Sequence, residues 1–149
     1  MQPSQIRELI LAEHRRVAPL LDAAEDAAKR AIVGEASEAE LRARMDELAE
    51  AYDELVREEE ALLVPELATV DAWGEERVRQ LDSTHREQRA RLTRIRQAAE
   101  TGVVAPRQLA RRVMLTVEAI RSSLDRERRR HLSPDLLRDD LVVVAQVDG

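Results

Sequence analysis

The chain has 149 residues, enough for one domain with a real core, and carries 24 Lys and Arg against 30 Asp and Glu for a net charge of −6. That acidic balance argues against nucleic acid as the main partner, and the absence of cysteine excludes disulfides, thiolate metal sites and cysteine nucleophiles. Charged residues make up 36% and apolar ones 44%, with Tyr52 and Trp73 the only aromatics, a composition that predicts helix throughout. No apolar run approaches a membrane span and no signal-peptide core opens the chain, so the expectation is a soluble, cytoplasmic protein with no membrane partner.

Pro3 and Ser4 open a first helix whose pattern runs to about Ala31, where Gly34 stops it; Pro19 lies inside and should kink it. Ser37 followed by Glu40 is a capping-box arrangement that starts a second helix through Leu41, Met45, Leu48, Tyr52, Leu55 and Leu62, which Pro65 bends or ends. The turn around Asp71 to Gly74 leads to a third helix marked by Val78, Leu81, Leu92 and Ile95 and terminated by Gly102. Pro106 takes a first-turn position of a fourth helix, carried by Leu109, Val113, Val117, Ile120 and Leu124 and closed by Pro134. A tail from Asp135 to Gly149 follows and reads as a turn and an extended segment, with Leu141 to Val144 apolar in succession.

Short connections between amphipathic helices make neighbours antiparallel, so the fold class is all-α: an up-down-up-down four-helix bundle over residues 1–134 with a short C-terminal tail, 135–149. Each apolar stripe is interrupted once by a residue able to bind a metal. His14 stands between Ile10 and Val17, Glu59 between Leu55 and Leu62, His85 between Leu81 and Leu92, and Glu127 after Ile120 and Leu124. These steps of three, four and seven point all four side chains at the core. At roughly 1.5 Å of rise per residue, His14 and His85 lie about 15 Å from the starts of their helices, Glu59 about 14 Å and Glu127 about 10 Å from the ends of theirs. In an antiparallel bundle they share one layer.

In its segments Ala12 to Leu21, Glu59 to Pro65, His85 with Leu92, and Glu127, the chain resembles the hemerythrin-like, or HHE cation-binding, family. The resemblance covers nearly everything up to Pro134. It implies a non-haem iron pair between four helices, histidines as terminal ligands, and bridging carboxylates at the positions of Glu59 and Glu127. The sequence departs from that pattern where the family expects further histidines: Leu55 in the second helix, Arg89 in the third, Ser123 and Leu124 in the fourth. With three histidines in all, His131 included, a complete oxygen-binding iron pair cannot be assembled.

Two readings stay open. In one, the chain is a divergent hemerythrin-like bundle without a complete di-iron site. The layer of His14, Glu59, His85 and Glu127 is then satisfied within itself and binds no cofactor, and the bundle serves as a binding or sensing module for a protein partner or for self-association. In the other, the same four residues form a reduced site for iron or another divalent metal, used in oxygen or peroxide chemistry, with Gln88 able to add a carbonyl oxygen. His131 is expected to be solvent-exposed or against the tail, Glu58 and Glu60 solvated, and Tyr52 packed in the core. The run Arg126, Arg128, Arg129 and Arg130 suits the helix macrodipole. No catalytic set, phosphate loop or dinucleotide fingerprint stands out, and the apolar tail is expected to fold back on the bundle end or add to a partner chain.

Overall fold

A computed structural model describes residues 1–140; Leu141 to Val144, part of the expected extended segment, lie outside the described residues. The order is α1 (Pro3–Ile32), α2 (Glu38–Glu58), a π turn (Glu59–Leu63), α3 (Val64–Val70), α4 (Gly74–Thr101) and α5 (Pro106–Arg130). The π turn and α3 continue α2 without a break, so the chain makes four rods. Each rod packs on its sequence neighbours and α5 returns to α1, which closes the expected antiparallel four-helix bundle. No helix among the described residues is long and apolar enough to cross a membrane.

The helix ends follow local chemistry. Ser37 Oγ accepts from the Glu40 backbone N–H at 3.1 Å, while the Glu40 carboxylate reaches Arg30 of α1 instead of closing the capping box. Gly102 ends α4 in the left-handed region at φ 66°, and Pro106 sits at the start of α5, where a missing N–H costs nothing. Gly74 begins α4 so close to α3 that a Cβ there would run into the carbonyls of Leu67 and Ala68.

Neither internal proline ends its helix. α1 runs on through Pro19. At Pro65 the chain stays helical because the turn before it widens: Pro65 has no N–H to offer, and the Val64 N–H reaches back five residues to the Glu59 carbonyl. This is the point at which Glu59 enters the core.

The apolar interior is in two parts. The larger is built by Val17, Leu21, Leu41, Leu48, Leu55, Leu92, Val117, Ile120 and their neighbours from all four rods. The smaller, at the bundle end where α1 begins, joins Ile6, Ile10, Leu63, Leu67, Leu81, Leu132 and Leu137. Burying each such side chain contributes about 1.5–3 kcal/mol. After α5 the chain turns back over this end: Ser4 is hydrogen-bonded through both its N–H and its hydroxyl to Asp139, at 2.9 and 2.8 Å. The Leu132 carbonyl accepts from Arg7 at 2.6 Å and the Arg130 carbonyl from Arg77 at 2.7 Å, so side chains of α1 and α4 cap the end of α5. Interhelical ion pairs line the outside, among them Arg121 with Asp22 and Glu25, and Arg96 with Asp46.

Candidate metal centre

Between the two apolar clusters lies a polar layer. His14 comes from the middle of α1, Glu59 from the first residue of the π turn, His85 from α4 and Glu127 from the last turn of α5, and all four are buried. His14 Nε2 stands 2.5 Å from Glu127 Oε2 and 3.5 Å from Glu59 Oε1. The other Glu59 oxygen is 3.3 Å from His85 Nε2, so Glu59 links the two histidines. One donor atom from each of His14, Glu59 and Glu127 falls within 4.8 Å of the others. His85 joins this group through Glu59 and reaches Glu60 only at 3.9 Å.

The charges in this layer do not balance easily. Burial works against ionising His14, but its hydrogen bonds to Glu127 and Glu59 outweigh that and raise its pKa to about 9. Burial also pushes Glu127 up, yet the His14 contact holds its carboxyl below the usual range. For Glu59 the balance goes the other way: burial first, then the neighbouring negative charge of Glu127, outweighs its contact with His14 and holds it well above the ordinary carboxylate range. Burial keeps His85 and His131 on the neutral side. Without a cation, the surroundings favour the charged forms of His14 and Glu127 as a pair and disfavour a charge on Glu59. The second His14 nitrogen, Nδ1, lies 3.3 Å from a guanidinium nitrogen of the half-exposed Arg128. Tyr52 is buried nearby, and burial followed by the charges of Glu59 and Glu127 keeps its phenol protonated.

Two further buried groups, one helical turn from the layer, have no hydrogen-bond partner among the described residues: Gln88 Oε1, beyond His85, and His131 Nδ1, beyond Glu127. Of the two sequence expectations for His131, solvent-exposed or against the tail, the structure overturns the first, since the ring is buried. Leu132 and Leu137 fold against α1 and carry the end of α5 inward, which buries His131 with them. Its spacing carried the signal, because His131 is seven residues after Leu124 and four after Glu127, on the same stripe.

The donor atoms of His14, Glu59 and Glu127 lie close enough together to meet one divalent cation, with His85 beside them through Glu59. Two imidazoles and two carboxylates, with both glutamates ionised and both histidines neutral, exactly offset a double positive charge, and Gln88 Oε1 is an oxygen with nothing else to bind. The positions that would complete a second metal hold no ligand. Leu55 and Leu124 are core packing, Ser123 donates to the Ile120 carbonyl at 2.9 Å, and Arg89 turns to Asp53 at 3.2 Å.

A family model, the Hemerythrin HHE cation binding domain, matches residues 5–132. No curated protein and no solved structure matches the chain. The match takes in all four rods and every member of the polar layer, and the chain belongs to the hemerythrin HHE cation-binding family.

Proposed function

We propose that this chain is a cation-binding helical module that holds a single divalent metal, iron or a metal of similar preference, on His14, Glu59, His85 and Glu127. The observation that supports this best is that the layer is not closed on itself. A polar cluster serving structure alone would satisfy its members, whereas here burial and Glu127 disfavour a charge on Glu59, donor atoms of His14, Glu59 and Glu127 converge within 4.8 Å, and Gln88 Oε1 has no hydrogen-bond partner among the described residues. Glu59, placed by the π turn between the two histidines, is the central ligand, and Glu127 fixes His14. Leu63 and Leu67 on one side and Leu55 on the other bound the layer with apolar packing. When bound, the cation supplies Lewis-acid or one-electron chemistry, and oxygen or peroxide is the substrate class that the resemblance to iron-binding relatives suggests.

Metal analysis after incubation of chelator-treated protein with Fe(II), Mn(II) or Zn(II) tests this. Close to one metal per chain is expected, falling sharply in Glu59→Gln and Glu127→Gln variants that keep their helix content. Less than a tenth of a metal per chain with all three ions defeats it. The 2.5 Å contact between His14 and Glu127 favours a second reading, a metal-free bundle that presents a surface to a protein partner or to another copy of itself. The same measurement separates the two.

A further inference from the structure

Between α4 and α5, on the outer side of Glu127, a cavity of about 430 Å³ opens to solvent. Arg126 and Arg130 are exposed at its mouth, Thr84 lines it from α4, and the buried Ser123, Glu127 and His131 form its inner wall. Nearby arginines are already paired: Arg79 with Glu76 at 2.7 Å, Arg128 and Arg129 with Asp125. Arg126 and Arg130 have no carboxylate within ion-pair reach among the described residues. Nor are they needed to cap α5, because Arg77 and Arg7 serve the carbonyls of Arg130 and Leu132. Glu127 turns its charge toward His14, which leaves the two guanidinium groups as the unmatched charges of the cavity. His131, whose buried Nδ1 has no hydrogen-bond partner among the described residues, lines the same space.

We infer that this cavity binds a small molecule carrying an oxyanion group, a carboxylate or a phosphate. The anion sits on Arg126 and Arg130, whose planar donors match such groups, and the rest of the molecule lies against the inner wall that His131 helps to form. The cavity takes a molecule of modest size, and the ligand would lie against Glu127, beside the layer. The inference does not depend on a bound cation, since every group it uses is present in the metal-free chain.

The test is a titration of the metal-free protein with inorganic phosphate, succinate or uncharged glycerol, followed through the imidazole signals in nitrogen–proton NMR. With three histidines in the chain, each ring can be assigned by substitution. Saturable movement of the His131 signals by phosphate or by succinate, but not by glycerol, is expected, and the tighter of the two identifies the anion. Combined Arg126→Gln and Arg130→Gln, both exposed and expected to leave melting unchanged, should weaken that binding at least tenfold, whereas Arg107→Gln at the far end of α5 should not. Unmoved His131 signals with both anions, or undiminished binding in the double variant, overturns the inference. A chain that takes up one cation yet binds neither anion would keep the proposed function and lose only this site.

Discussion

The His14–Glu127 pair offers the sharpest test of the layer, in protein freed of metal by chelation. Lifting His14 from 6.5 to about 9 means that at pH 7 the folded state holds a proton the unfolded chain mostly lacks. By linkage this is worth roughly 2–3 kcal/mol. Glu127→Leu removes that stabilisation and leaves His14 to face Glu59 alone at 3.5 Å, while His14→Leu leaves Glu127 buried without its partner. Each single change should therefore cost about 2–3 kcal/mol in urea unfolding at pH 7. The double change should cost little more than one of them, giving a coupling of about 2 kcal/mol. Because the folded pKa is raised, this contribution is complete below about pH 6.5 and fades as pH rises through about 9, so the coupling should shrink at pH 10. Additive single losses, or a coupling independent of pH over that range, would refute a shared proton between these residues.

Metal uptake should release protons, since His14 and Glu59 must both give theirs up, so apparent affinity should climb between pH 6 and 8 in calorimetry; a pH-independent affinity would contradict the assigned ligands. Gly74→Ala should destabilise by about 1–3 kcal/mol through collision with the Leu67 and Ala68 carbonyls, and unchanged melting would show that the α3–α4 corner relaxes freely. Leu137→Ala should cost about 2–4 kcal/mol, as for any core leucine, whereas a loss under 0.5 kcal/mol would mean that the segment after α5 contributes nothing to the bundle end. Arg121→Met, which breaks half-exposed pairs with Asp22 and Glu25, should cost under about 1 kcal/mol and less in high salt.

The bundle was legible in the sequence because its stripes are regular and its stops are strong: Gly34, Gly102 and Pro106 each mark an end where a backbone requirement exists. The antiparallel arrangement then followed from the short connections, and the heights of His14, Glu59, His85 and Glu127 from helical rise alone. Two features were not legible. Pro65 signalled a bend or an end, but whether a helix stops at a proline or widens ahead of it depends on what packs on the next turn, and Leu63 and Leu67 hold that turn in the smaller cluster. For His131, near a helix end, solvent and tail both stayed open as surroundings, because local sequence does not show that Leu132 and Leu137 return to α1 and pack there. The distances inside the layer were beyond reach as well. That Glu59 faces both histidines while His85 stays clear of Glu127 is set by the π turn, which no periodicity announces.

The polar layer cutting the interior in two makes the molecule mechanically uneven. Apolar contact is continuous within each cluster and interrupted at the seam, so the smaller cluster, with the first turns of α1, the α3–α4 corner and the end of α5, is expected to open as a unit at lower free energy than the larger one. Amide hydrogen exchange in the metal-free chain should thus be faster for Ile6, Leu67 and Leu81 than for Leu48, Val113 and Ile120. Since His14, Glu59, His85 and Glu127 each come from a different rod, anything that ties them together fastens all four at the seam, and its occupancy would be read out as slowed exchange at an end of the bundle that it does not touch.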